Sequence, residues 1–178
     1  GEWKFDENGG TQVIDSSGNG HSGAVTGTAT WSSDTPFGTG YSFSFDGSTY
    51  MNVGILPTIT NGSFTYTAWV KTAATGIRTI IGGTASGFPQ FRVEDTSNYI
   101  SIIKECITAP GQSTKGVPVN TWTFVAARYD SVAGVFTYYI NGASVTSITS
   151  SLSFIPGSSA TIGQNSFCNG ERFVGNID

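Results

Sequence analysis

The residues best suited to bind a metal ion lie in the loop from Asp15 to His21, which reads DSSGNGH. Within seven positions it places Asp15, two serines, Asn19 and His21, separated by two glycines. Glycines allow a tight backbone path that turns carbonyl oxygens inward. Carboxylate and carbonyl oxygens are the ligands that a hard cation such as calcium prefers. The loop therefore indicates a calcium site, and the alternative is a solvated turn that joins two strands.

Groups for catalysis are scarce in this sequence. His21 is the single histidine, so any serine–histidine or cysteine–histidine pair would have to use it. Glycosidase chemistry needs two carboxyl groups in one cleft, and no E-x-D-x-x-E or similar spacing occurs. The adjacent pairs Asp6-Glu7 and Glu94-Asp95 would point to opposite faces of a strand. We expect no enzymatic activity, although a carboxylate pair drawn from distant strands stays open.

Length, charge and composition narrow the class of protein. The 178 residues correspond to one domain, 1–178, with a real core. A net charge of -4 and a pI near 4.8 argue against nucleic acid as a partner, because phosphate binding needs a basic face. No apolar run approaches the roughly eighteen residues of a membrane helix.

The Lys-poor, polar composition favours an oxidising compartment, in which Cys106 and Cys168 would form one disulfide.

The hydrophobic pattern indicates strands throughout. Residues 41–45 and 64–70 alternate between apolar and polar side chains, which is typical of half-buried strands. Residues 122–127 are apolar on both faces, as in a central strand of a sheet. The pair Asn141-Gly142 lies between strand-like runs and predicts a hairpin, because both residues tolerate a positive φ. No segment has a helical pattern, so the sequence predicts an all-β sandwich.

Five segments also occur in a characteristic order. The aromatic opening strand with Trp3 and Phe5 runs into DSSGNGH, and SFSFDGSTYMNVG, GSFTYTAWVKT, NTWTFVAARYDSVAGVFTYYINGASV and ATIGQNSFCNGERFVGNID follow. In this order the chain resembles the laminin-G-like domains of the concanavalin A-like lectin/glucanase superfamily. The resemblance implies a two-sheet antiparallel jelly-roll β-sandwich.

The resemblance also implies where a calcium ion would bind. In such domains the ion lies between the early glycine-rich loop and an acidic residue of the last strand. Carried over to this sequence, the ligands are Asp15, Asn19, His21 through its backbone carbonyl, and Asp178. Calcium is therefore the expected cofactor.

Glycan binding is the function usually assigned to this fold. Sugar sites use aromatic faces for stacking and polar groups for the hydroxyls. The candidates near turn-like or polar segments are Trp31, Tyr50, Phe88 and Tyr99. The alternative is that these rings fill the sandwich core.

The expected function is that of a non-enzymatic extracellular module, lectin-like or adhesive, which binds a glycan or another cell-surface ligand and does not insert into a membrane. The alternative is a self-assembling structural building block of a surface filament, adhesin or virus particle.

The resemblance implies further strand after the closing Ile177-Asp178. We therefore expect the sequence to be a fragment whose next strand follows directly, or a neighbouring chain to supply that strand.

Overall fold

The computed structural model describes residues 1–56, 62–104, 111–150, 154, 159–167 and 170–178. In these ranges the backbone forms fifteen strands. In chain order they are β1 (Gln12–Val13), β2 (Gly23–Thr26), β3 (Trp31–Ser32), β4 (Ser42–Asp46), β5 (Tyr50–Ile55), β6 (Phe64–Thr72), β7 (Arg78–Gly83), β8 (Pro89–Glu94), β9 (Tyr99–Lys104), β10 (Gln112–Gly116), β11 (Thr123–Asp130), β12 (Val135–Ile140), β13 (Ala143–Thr149), β14 (Ser159–Ile162) and β15 (Val174–Ile177).

The strands form two antiparallel sheets. The eight-stranded sheet has the order β1-β2-β5-β14-β7-β8-β9-β10, and the seven-stranded sheet has the order β13-β12-β11-β6-β15-β4-β3. Apolar side chains of both sheets meet in one core, which includes Phe43 and Phe45 from β4 and Phe91 from β8. The predicted two-sheet jelly-roll sandwich is confirmed.

Local sequence accounts for the central strands. The predicted alternation over residues 64–70 falls within β6, where Thr65 and Thr67 are exposed and Val70 is fully buried. The segment that is apolar on both faces becomes β11, which lies between β6 and β12 as predicted. Asn141 and Gly142 adopt φ values of 51° and 79° and connect β12 to β13, so the predicted hairpin is also confirmed.

One tyrosine connects the two sheets through the core. The Tyr138 hydroxyl on β12 accepts the backbone N–H of Ile102 on β9 and donates to the carbonyl of Gly111, both at 3.1 Å. Burial, with a smaller contribution from the charge of Glu94, raises the pKa of Tyr138 to about 12. The phenol is therefore a neutral cross-link between the sheets.

Two further sequence predictions concern the cysteines and membrane-spanning helices. Cys106 and Cys168 both lie outside the described residues, so their disulfide stays a prediction. Within the described ranges, no helix is long and apolar enough to cross a membrane.

Candidate functional site

A cavity of about 610 Å³ opens beside β6. β6 pairs with β11 from Phe64 to Val70, whereas β15 pairs with β6 only at Val70 to Thr72 and then through two backbone hydrogen bonds between Asp178 and Trp69. The cavity lies next to β6 beyond the end of β15, and its floor includes the core residue Phe91. It therefore connects the outer face of the seven-stranded sheet with the apolar interior.

Three aromatic rings line the outer side of this cavity. The Trp69 ring lies edge-on to Phe37, with centroids 5.6 Å apart and an interplanar angle of 79°. On its other side Trp69 contacts Phe124 at 5.5 Å and 58°. Phe37 is 64% exposed. We call this set, Phe37, Trp69 and Phe124, the aromatic platform.

Strand register positions two members of the aromatic platform. On β6, Val70 and Thr72 are buried, so Trp69 lies on the outer face by alternation. Phe124 lies between the buried residues Thr123 and Val125 of β11. Trp69 and Phe124 are paired directly across β6 and β11, the geometry in which aromatic side chains contact one another.

Asp34 positions the loop that carries Phe37. Its Oδ2 forms an ion pair with Lys71 on β6 at 2.5 Å, and its Oδ1 accepts the indole N–H of Trp122 at 2.8 Å. The hydrogen bond from Lys71 and then that from Trp122 lower the pKa of Asp34. Asp34 therefore fastens the loop between β3 and β4 to β6, which carries Trp69, and to the residue that precedes β11, which carries Phe124.

The carboxyl groups of Asp6 and Asp178 lie at the rim of the cavity. Asp6 Oδ1 accepts the backbone N–H of Tyr41 at 3.0 Å. A Cβ atom at Gly40, where φ is 78°, would clash with Asp6 Oδ1, so this close approach requires glycine. Burial, and then the charge of Asp6, raise the pKa of Asp178 to about 6. This rim of the cavity is acidic.

The loop predicted to bind calcium is organised by Asp15. Its Oδ1 accepts the backbone N–H groups of Glu2 and Ser17, and its Oδ2 accepts that of His21, all at 2.9 Å. Hydrogen bonds from Ser17, Glu2 and His21 hold the pKa of Asp15 far below its usual range. The carboxylate therefore clamps the loop to the N-terminal segment.

The other predicted calcium ligands belong to two segments of the chain. Asn19 donates its amide to Ser17 Oγ at 2.9 Å, and the His21 carbonyl accepts the indole N–H of Trp3 at 2.8 Å. Asp178 lies apart from them in sequence, at the cavity rim near Asp6. In the described part of the chain, no three His, Cys, Asp or Glu residues are grouped closely enough to hold a metal. A cation at this loop would depend mainly on backbone and amide oxygens.

The four predicted sugar-stacking residues lie on separate parts of the sandwich. Trp31 on β3 packs edge-on to the core residue Phe43, with centroids 5.1 Å apart. Phe88 is buried, with 6% of its surface exposed, so its ring offers no free face. Tyr50 on β5 and Tyr99 on β9 are half-buried in the eight-stranded sheet. None of the four belongs to the aromatic platform.

Two carboxylates from distant segments do come together around an arginine. Arg92 donates to Glu171 at 2.9 Å and pairs with Glu94 at 3.2 Å. Gln90 also donates to Glu171 at 2.8 Å, and Ser101 donates to Glu94. All these groups are largely buried. Because both carboxylates accept hydrogen bonds from a cation, the cluster has the character of a structural ion-pair network.

A family model for laminin-G-type domains matches residues 45–178. The chain belongs to the concanavalin A-like lectin/glucanase superfamily. A comparison with curated protein sequences found no significant match.

Solved structures of this superfamily fold are similar at low sequence identity. Domain 4 of AbnA, a GH43 extracellular arabinanase from Geobacillus stearothermophilus solved with arabinotriose, is 21% identical, with a TM-score of 0.76 over 99% of this chain and 87% of that one. A putative carbohydrate binding protein from Bacteroides ovatus is 23% identical, with a TM-score of 0.62 over 77% of this chain and 41% of that one. A CBM40 domain of the Ruminococcus gnavus IT-sialidase, bound to α2,3 sialyllactose, is 14% identical, with a TM-score of 0.53 over 65% and 72%.

Sequence reasoning missed the aromatic platform of this superfamily member. The available signal was in the strands, because residues 122–127 are apolar on both faces and one face of a two-layer sandwich is open to solvent. Trp69 and Phe124 are therefore large apolar side chains on the face that does not contribute to the core. Phe37 gave no such signal, since it lies in a loop.

Proposed function

We propose that this protein is a non-catalytic carbohydrate-binding module that holds a glycan on the aromatic platform. The observation that carries the proposal is the row Phe37, Trp69 and Phe124 on the outer sheet face, at the mouth of the cavity. Concave sites with aromatic walls and a few polar groups are typical of small-molecule binding.

The chemistry of the surroundings supports a sugar as the ligand. The C–H face of a sugar ring packs on an aromatic ring, while its hydroxyls need hydrogen-bond partners. Thr65 and Thr67 supply exposed hydroxyls beside Trp69, and Asp6 supplies a carboxylate at the rim. Similar structures with this fold were solved with arabinotriose and with sialyllactose, which supports the same ligand class for this chain.

The competing function is glycoside hydrolysis, and the cavity offers one carboxylate pair for it. Burial and the nearby charge of Asp6 raise the pKa of Asp178, as expected for a carboxyl group that acts as an acid. Against catalysis, Asp6 accepts the N–H of Tyr41, and the backbone of Asp178 is bonded to that of Trp69. The Asp6 carboxylate is therefore already engaged by the local backbone, whereas the bonds of Asp178 involve its backbone alone.

The test is calorimetric titration of the protein with neutral and charged oligosaccharides, followed by chromatography of each mixture. The proposal predicts saturable binding with every oligosaccharide recovered intact. Hydrolysis that is lost in Asp178→Asn would replace the proposal with the enzymatic function, and absence of binding to any glycan would contradict it.

Calcium at the Asp15 loop and an extracellular location complete the proposal. Calcium is supported by the carboxylate and amide oxygens of the loop and by its tight backbone path, with positive φ at Gly18 and Gly20. The location is supported by the polar, weakly charged composition and by the extracellular arabinanase domain with the same fold.

A further inference from the structure

More negatively charged than positively charged groups surround the aromatic platform. Glu2, Asp6 and Asp178 line the cavity, whereas Lys4 and the α-amino group of Gly1 are the cationic groups among its described lining residues. Beside Trp69, the ammonium group of Lys71 is neutralised by Asp34 at 2.5 Å. A ligand on the platform therefore meets a net negative field.

An anionic sugar would need a cationic partner here, and arginine is the side chain that best pairs with a carboxylate. All four arginines of the chain are described, and each already donates to an acceptor of its own chain. The pairs are Arg78 with the carbonyls of Thr75 and Ile77, Arg92 with Glu94 and Glu171, Arg128 with Asp130, and Arg172 with the carbonyl of Ser48. The described lining of the cavity contains no arginine.

We infer that the aromatic platform selects uncharged oligosaccharides and rejects sugars that carry a carboxylate, such as sialic acids and uronic acids. This inference rests on the proposed function, since it specifies the ligand of the same site. The apolar rings bind both classes through their C–H faces, so the surrounding charge decides between them. The three carboxylates of the rim repel a sugar carboxylate, and Lys4 and the Gly1 amino group offset this repulsion only in part, so the anion gives up hydration without full compensation.

The test compares neutral oligosaccharides, arabinotriose, cellotriose and lactose, with sialyllactose and a trigalacturonate by calorimetry at low ionic strength. Lactose and sialyllactose form a matched pair that differs by the sialic acid. We expect the tightest neutral ligand to bind at least about tenfold more tightly than either anionic one. Added salt should narrow this ratio, because screening weakens repulsion between exposed charges.

A charge-neutral variant separates charge from shape. Glu2→Gln removes one rim charge, keeps the length of the side chain and leaves Asp6 and its bond from the Tyr41 N–H in place. We expect tighter binding of the anionic sugars and unchanged binding of the neutral ones.

The outcomes separate this inference from the proposed function. If sialyllactose or trigalacturonate binds as tightly as the neutral sugars, and Trp69→Ala abolishes that binding, the inference is wrong and the glycan site stands. If no sugar of either class binds, or Trp69→Ala leaves all binding unchanged, the proposed function fails together with the inference.

Discussion

Asp34 accepts a hydrogen bond from the indole of Trp122 at 2.8 Å, and this bond ties the loop that carries Phe37 to the start of β11. Together with the ion pair to Lys71, it places a loop residue and two strand residues in one row. The arrangement of the aromatic platform therefore depends on Asp34, a polar residue that has no ring of its own.

Replacing Asp34 should weaken glycan binding without a direct loss of contact surface. In Asp34→Ala the loop loses its bonds to Lys71 and Trp122, so Phe37 is no longer held against Trp69. We expect a fall in affinity of about tenfold, with a small change in Tm because the pair is partly exposed. Asp34→Asn, which keeps an acceptor for Trp122, should recover part of the affinity. Equal affinities of Asp34→Ala and the wild type would contradict this positioning role.

Removing the Tyr138 hydroxyl should destabilise the sandwich. Tyr138→Phe leaves the buried N–H of Ile102 and the carbonyl of Gly111 without this partner. The expected loss in the free energy of unfolding is about 1–3 kcal/mol, measured by chemical denaturation. Tyr139→Phe, at the next and half-buried position, is the matched control and should have little effect.

The same tyrosine predicts a dependence of stability on alkaline pH. The folded pKa is about 12, above the value of 10 for a free phenol, so the folded state keeps a proton that the unfolded state has released. The contribution of Tyr138 is therefore complete below about pH 10 and is lost as the pH rises towards 12. Tyr138→Phe should lack this part of the alkaline loss, and identical slopes in both proteins would refute the assignment.

Asp46 predicts the opposite dependence at acidic pH. Its carboxylate accepts the backbone N–H groups of Ser48 and Thr49 at 2.7 and 2.8 Å, and these bonds, together with the Ser48 hydroxyl, lower its pKa. A lowered pKa means that the stabilisation is present above about pH 4 and is lost as the pH falls further. Asp46→Asn should be less stable than the wild type near neutral pH, and the difference should shrink in acid. A constant difference in Tm across this range would count against the carboxylate.

Calcium binding is tested by thermal melting. With calcium bound to the folded state alone, excess chelator should lower the Tm and added calcium should restore it. Asp15→Ala should abolish that response and also melt lower in chelator, because three backbone N–H groups lose their acceptor. A wild-type melting curve that chelator leaves unchanged would exclude calcium at this loop.

The strands were predictable from sequence because their patterns are local. Alternation over residues 64–70 and the Asn141-Gly142 turn each specify structure within a few residues. The platform was not predictable in this way, since Phe37 reaches Trp69 only through the fold and the bonds of Asp34.

The chemistry of Asp15 shows a different limit of sequence reasoning. An aspartate in a glycine-rich loop has the same sequence pattern whether it binds a cation, its own backbone or both, and the structure shows the backbone bonds while calcium stays a proposal. The Cys106–Cys168 disulfide and self-assembly or strand donation stay predictions.

The most direct test of the glycan-binding account is the affinity of Trp69→Ala beside that of Tyr99→Ala, for the tightest neutral oligosaccharide. Trp69 is the centre of the aromatic platform, whereas Tyr99 is a half-buried aromatic residue of the other sheet. Both variants should keep a cooperative unfolding transition, which melting verifies. The account predicts that Trp69→Ala loses at least about tenfold in affinity, as expected for loss of a central aromatic contact, while Tyr99→Ala binds like the wild type. Full binding by Trp69→Ala, with loss of binding in Tyr99→Ala, would contradict it and move the site to the eight-stranded sheet.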